Sequence, residues 1–266
     1  MYWSDYHVHT HFSADSSESL LAYIRKAQES RINEICFTDH YDFSFPDPRG
    51  QEWMSDVEGL FSAIDALPDS GILIKKGVEM GVRLDEGIIE ATEKRLRPYA
   101  FDFILASVHL VDGEDPYFPA YFEGKTKAQA FSRYIETLLT CLRQTDYYCA
   151  VGHIDYPSKG CDAHDAALQY DDAPDVLDSL FRFVAEKGKM LEINTSILKN
   201  PNAHPRDIRL WKRYVELGND AVTMGSDAHS ADFLGYEFAH TREFLREAGV
   251  QYIATFEQMQ PLFTPI

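Results

Sequence analysis

Short, nearly continuous apolar runs alternate along this chain with longer stretches in which apolar residues recur every third or fourth position, and the alternation repeats seven times. Runs of the first kind read as strands buried on both faces, and stretches of the second as amphipathic helices laid over them. Strands are expected up to His9 and over 35–38, 71–79, 103–108, 150–153, 190–194 and 221–226. Helices are expected from a cap at Ser16 or Ser17 to about Ser30, then over 54–67, 87–96, 127–143, 174–187, 205–217 and 241–248. In the clearest of them, 127–143, Phe131, Tyr134, Ile135, Leu138, Leu139 and Leu142 form one stripe that packs a core. Repeated strand–helix units argue for a parallel sheet with crossover helices. No Gly- or Ser-rich linker breaks the rhythm, so residues 1–266 are expected to form one α/β domain, a single closed barrel. Two loops rich in aromatic residues interrupt the pattern, 41–50 with Pro46 and Pro48, and 111–124 with Tyr117, Phe118, Tyr121 and Phe122; both are candidates for covering a site.

The polar residues that end the apolar runs carry the chemistry. In the string His7-Val8-His9, alternate strand residues share a face, so two imidazoles point the same way. Other runs end at His40, Glu79, His109, His153 and the pair Asp227 and His229, so six of the ten histidines stand at such endings. Carboxyl ends of parallel strands are where α/β barrels place their reactive groups. Six imidazoles with Asp15, Glu79 and Asp227 exceed what one ion needs, which implies two or three divalent ions. Mixed nitrogen and oxygen donors suit Zn²⁺, Mn²⁺ or Fe²⁺ and disfavour Ca²⁺ or Mg²⁺. Neighbouring ions can share a bridging hydroxide formed at neutral pH and can hold phosphate oxygens, so hydrolysis of a phosphate ester would need no side-chain nucleophile. The chain accordingly contains no Gly-x-Ser-x-Gly elbow and no phosphate-cradling Gly-x-x-x-x-Gly-Lys-Ser/Thr loop.

Composition narrows the substrate. The formal charge of −18, from 25 basic and 43 acidic residues, repels a phosphate backbone, so nucleic acid is not expected as a partner and a small substrate is. Cys36, Cys141, Cys149 and Cys161 form no Cys-x-x-Cys pair and read as reduced thiols of a cytoplasmic protein. No signal pattern opens the sequence, and no apolar stretch approaches membrane-spanning length.

The string His7-Val8-His9-Thr10-His11-Phe12-Ser13-Ala14-Asp15-Ser16 is followed by Phe37-Thr38-Asp39-His40, Gly77-Val78-Glu79, Ser107-Val108-His109, Gly152-His153-Ile154-Asp155, Leu191-Glu192-Ile193-Asn194-Thr195 and Gly225-Ser226-Asp227-Ala228-His229. Together these motifs resemble the polymerase and histidinol phosphatase superfamily, and within it the histidinol phosphatases of histidine biosynthesis, over nearly the whole length. The resemblance implies a distorted seven-stranded (β/α)7 barrel, TIM-like, with a trinuclear metal site. By it, His7, His9, Glu79 and Asp227 would hold a first ion, and Glu79 would bridge to a second held by His109 and His153. Asp15, His40 and His229 would hold a third. It also implies basic phosphate-binding residues in the loops after the fifth and sixth strands, where Lys159 and Lys199 stand; relatives often carry arginine there, which grips a phosphate with two prongs where lysine offers a point charge.

Asp39, Asp155 and Asn194 lie beside ligand positions and are expected to orient them. His11 is a further candidate for that role, whereas His164, His204 and His240 read as surface or helix residues. The expected activity is metal-dependent hydrolysis of L-histidinol phosphate to L-histidinol and phosphate. The same machinery acting on a nucleotide or phosphotyrosine, or an amidohydrolase-like hydrolysis of a lactone or amide, stays open at this point.

Overall fold

The computed structural model describes residues 2–159, 161, 165–203 and 206–266, so His164 and His204 lie outside the described residues. Its strands are β1 (Ser4–Val8), β2 (Glu34–Phe37), β3 (His40–Tyr41), β4 (Leu73–Gly81), β5 (Phe103–Ser107), β6 (Ala150–Val151), β7 (Met190–Asn194), β8 (Ala221–Gly225), β9 (Tyr252–Glu257) and β10 (Gln260–Pro265). The helices are α1 (Leu20–Ser30), α2 (Val57–Asp65), α3 (Ile88–Leu96), α4 (Lys127–Leu142), α5 (Pro174–Glu186), α6 (Ile208–Glu216) and α7 (Phe238–Ala248). One sheet runs in the order β1-β2-β4-β5-β6-β7-β8-β9-β10, with β3 beside β4. Every pairing is parallel except the hairpin of β9 with β10. The α/β class and the parallel sheet expected from periodicity are therefore present.

Closure of the ring differs from the expectation. The first residues of β8, Ala221 and Val222, pair with Tyr252 and Ile253 of β9. The chain just past β8 meets β1 at one isolated bridge, Val8 with Ala228, supported by the His9 N–H donating to Ala228 O at 2.9 Å. No continuous ladder joins the first and last parallel strands among the described residues, because β9 occupies the edge that β1 would need. A buried carboxylate closes the gap instead. Asp5 accepts from Ser226 N–H and Gly235 N–H, both at 2.9 Å, and from the Ser226 hydroxyl.

The pairing of β1 with β2 slips between Asp5 and Val8, a bulge that lets neighbouring residues face the interior. Tyr6 joins Cys36, Phe103, Leu105, Met190, Ala254 and Phe256 in a buried floor, while His7 enters the polar site. Tyr6 and Phe103 meet edge to face at 5.1 Å. The Tyr6 hydroxyl accepts from Phe256 N–H at 2.7 Å and donates to Glu34 Oε1, which ties β1, β2 and β9 together beneath the site.

Several ends move for identifiable reasons. The cap of α1 is Ser19, whose side chain accepts from Ala22 N–H; Ser16 Oγ lies instead 3.1 Å from the carbonyls of His9 and His229. Helix α4 opens on a Thr126–Gln129 capping box and buries its whole predicted stripe. The β9–β10 hairpin escapes prediction because Pro261 and Pro265 disguise an edge strand, where proline is tolerated. All four cysteines are free and buried, and among the described residues no helix is long and apolar enough to cross a membrane.

Replacing Tyr6 by Phe removes the acceptor of the buried Phe256 N–H. Unfolding free energy should fall by about 1–3 kcal/mol, read as a lower urea midpoint at unchanged m-value. An unchanged midpoint would mean that the floor does not depend on this hydroxyl.

Candidate metal centre

Glu79, fully buried on β4, stands where imidazoles from several strand ends converge. Its Oε2 lies 3.2 Å from His7 Nε2 and 3.5 Å from His9 Nε2; Asp227 Oδ1 lies 3.8 and 3.3 Å from the same two nitrogens. A tetrahedral ion with donors at about 2.1 Å spaces them roughly 3.4 Å apart, so His7, His9 and Glu79 offer three atoms that suit one such ion, and Asp227 approaches it from the side of His9. The other carboxylate oxygen, Glu79 Oε1, lies 3.2 Å from His109 Nε2 and 2.9 Å from His153 Nε2. Asp15 Oδ2 lies 2.8 Å from His229 Nε2 and 3.4 Å from His40 Nε2, with His9 close enough to share the group. Asp227 reaches the cluster through a left-handed turn (φ 51°), a conformation uncommon outside glycine that functional sites often hold.

The donor set fits divalent ions on its hydrogen bonding. His7 Nδ1–H donates to Glu192 Oε1 at 2.6 Å, which leaves the Nε2 lone pair aimed at Glu79. His7 Nε2, His9 Nε2 and Glu79 Oε2 are buried and have no hydrogen-bond partner. Lone pairs facing one another at such distances repel unless protons or a cation stand between them. Electrostatics of the ion-free chain point the same way. Burial opposes protonation of His7, but Glu192, Glu79 and Asp227 outweigh it and raise its pKa well above the ordinary value. Burial likewise opposes ionisation of Glu79, yet His7, His40 and His109 hold its carboxyl well below the usual range. Burial, then the neighbouring His229 and His40, pushes His9 down to about 3; burial and Lys159 push His153 down to about 4.

Two supporting carboxylates escaped sequence analysis. Glu192 sits within the apolar strand β7, and its only signal was its place two residues before Asn194 on the same face. Gly225 makes room for it: a Cβ there would lie 2.1 Å from Glu192 Oε1 and 2.5 Å from His7 Cβ. Asp42, just past β3, accepts from His109 Nδ1–H at 2.9 Å.

Of the expected orienting residues, Asn194 donates to Asp227 Oδ2 and Glu192 Oε2, both at 3.2 Å. Asp39 accepts from the Thr10 hydroxyl at 2.8 Å and from Thr10 N–H, so it fixes the turn after His9 rather than an imidazole. Asp155 is turned away: β6 ends at Val151, strand alternation no longer applies, and the residue lines a cavity with Ile197, Arg206 and Trp211. His11 and His240 are exposed. Lys159 reaches the cluster, pairing with Asp227 Oδ2 and lying over the Tyr156 ring. Lys199 lies 3.9 Å from the centre of the Phe233 ring, and burial lowers its pKa. In the second aromatic loop, Tyr117 approaches Tyr156, which stacks on His153 at 4.7 Å and donates to Asp115 at 3.2 Å. Just past the first, Trp53 meets the edge of His40.

A parallel α/β sheet with imidazoles and carboxylates crowded at one end defines a class of chain suited to holding several cations together. The chain belongs to the PHP domain family, whose model matches residues 5–196. It is 32% identical to a probable histidinol-phosphatase of Clostridium acetobutylicum, with 88% of this chain and 89% of that one covered. It is 31% identical to the histidinol-phosphatase of Lactococcus lactis subsp. lactis, with 96% and 95% covered. A crystal structure of histidinol phosphate phosphatase from Lactococcus lactis, complexed with zinc, L-histidinol and phosphate, superposes with a TM-score of 0.88 at 31% identity over 98% of both chains.

Burial opposes protonation of His109, but Asp42 and Glu79 outweigh it and raise its pKa to about 9 from 6.5. In the ion-free protein that pairing stabilises the fold fully below pH 6.5, and the contribution is lost as pH rises through about 9. A metal must displace this proton, so zinc affinity should climb between pH 6.5 and 9 while the melting temperature of the ion-free protein falls. Calorimetric zinc titrations across this range test the sign, and a flat affinity would contradict it.

Proposed function

We propose that the protein is a metal-dependent phosphomonoesterase that hydrolyses L-histidinol phosphate to L-histidinol and inorganic phosphate in histidine biosynthesis. The observation that carries this is the convergence of unpartnered imidazole and carboxylate atoms on Glu79, in a chain 31% identical to a protein crystallised with zinc, L-histidinol and phosphate. His7, His9, Glu79 and Asp227 would hold one ion, Glu79, His109 and His153 a second, and Asp15, His40 and His229 a third. Zinc, manganese or iron held there supplies an activated water at neutral pH and positive charge for the phosphate oxygens.

The chain's own residues do the rest. Glu192 and Asn194 fix the orientations of His7 and Asp227. Lys159 places a cation beside Asp227, and Lys199, over the Phe233 ring, offers a second positive charge for the phosphate. Asp115, against Tyr156 and near Tyr117, offers an acidic, aromatic wall suited to the imidazole and amine of histidinol, which agrees with a chain of net charge −18 acting on a substrate with a cationic end.

Inorganic phosphate release from L-histidinol phosphate, set beside nucleotides, sugar phosphates and a phosphotyrosine peptide, tests the substrate. Preference for histidinol phosphate is expected, and stronger turnover of any other would overturn the assignment. Asp115→Asn should raise KM for histidinol phosphate by roughly 10-fold, the order of a lost charged hydrogen bond, and leave p-nitrophenyl phosphate nearly unaffected. Equal effects on both substrates would remove Asp115 from recognition.

A further inference from the structure

Asp42 stands between two imidazoles assigned to different ions. It is buried, its Oδ1 accepts from His109 Nδ1–H at 2.9 Å, and its Oδ2 lies 3.5 Å from His40 Nδ1. The far nitrogens of the two rings reach further carboxylates, His109 Nε2 to Glu79 and His40 Nε2 to Asp15, while His40 Nδ1 also lies 3.0 Å from Glu79 Oε2. The two rings meet edge to face at 4.9 Å, so one carboxylate limits the rotation of both.

The backbone is shaped around this group. Gly81, at the end of β4, lies so close that a Cβ there would stand 2.0 Å from Asp42 Oδ1 and 2.4 Å from its Cγ. Asp42 Oδ2 has no conventional hydrogen-bond partner; His40 Nδ1, 3.5 Å away, faces it and also lies 3.0 Å from Glu79 Oε2. By contrast, His7 is oriented by Glu192, and His9 Nδ1 lies 3.3 Å from Ser13 Oγ; neither touches Asp42.

We propose that Asp42 is a positioning residue that couples the second and third ions through His109 and His40, and leaves the ion held by His7, His9, Glu79 and Asp227 to separate supports. Fixing the Nδ1–H tautomer of a metal-binding imidazole is the ordinary task of such a carboxylate, and its loss costs about 10–100-fold in metal affinity. Here one carboxylate fixes the tautomer of His109 by a hydrogen bond and faces His40 Nδ1 with its second oxygen, a 3.5 Å charge contact that His40 shares with Glu79. Loss of Asp42 therefore divides the centre instead of weakening it evenly. The proposal rests on the ligand assignment given above.

The test is a stepwise chelator titration of the zinc-loaded protein, read as zinc bound per chain, for the parent, Asp42→Ala and Asp42→Asn. Asp42→Ala should release part of its zinc about 10–100-fold more readily than the parent while at least one equivalent is held as tightly. Asp42→Asn, whose amide oxygen still accepts from His109 Nδ1–H, should return toward the parent. A titration superimposable on the parent, an even weakening of every equivalent, or an asparagine variant no better than alanine would overturn the proposal. Circular dichroism of the ion-free proteins checks folding. If the alanine variant does not fold, Asp42→Glu replaces it, because Gly81 leaves no room for the extra methylene and the same partial release is expected. A parent that binds no zinc would sink the ligand assignment, whereas a parent whose zinc is indifferent to residue 42 sinks only the role of Asp42.

Discussion

The burial of one carboxylate, Glu79, among imidazoles from different strands is the constraint on which the rest of this structure depends. A lone buried carboxylate is costly, and buried histidines crowding it with unshared lone pairs make it costlier still. Protons satisfy the arrangement in the ion-free chain, which is why His7, His40 and His109 are held protonated while Glu79 and Asp227 stay ionised. Divalent ions satisfy it better, since each accepts several lone pairs at once. The fold answers the same constraint: it delivers these side chains from strand ends that lie above a buried, largely apolar floor of Tyr6, Phe103 and Phe256.

Around this centre the supporting groups are matched to spaces that only glycine provides. Glu192 fits because residue 225 lacks a side chain, and Asp42 fits because residue 81 does. Both carboxylates hold an imidazole through Nδ1 and so direct Nε2 inward. The seam beside the site depends on Asp5, whose hydrogen bonds to Ser226 and Gly235 stand where a regular strand ladder would. Burial raises its pKa to about 6 even against those hydrogen bonds, so the seam carries a polar cost that a continuous ladder would avoid.

Much of this was legible in the sequence because parallel sheets obey strong rules. Apolar runs marked the strands, helical spacing marked α4 to within a residue, and histidines at run endings marked the converging side chains. What escaped lies where those rules lapse. The bulge in β1 brings Tyr6 and His7 to one interior, which strict alternation forbids. Asp155 was placed by extending alternation past Val151, where the chain has already turned. Glu192 was hidden because a carboxylate inside an apolar strand has no local partner to betray it; its partner, His7, is far away in sequence. The hairpin of β9 and β10 was masked by its prolines, and with it the reason the ring of strands is not sealed by a ladder.

The account stands on cations occupying the space between the convergent imidazoles. Anomalous difference maps from crystals of the protein, collected at the zinc, manganese and iron absorption edges, measure this directly. A peak among His7, His9, Glu79 and Asp227 and another among Glu79, His109 and His153 are predicted. Clear density for these side chains with only water between them, in crystals grown with the metals supplied, would contradict it.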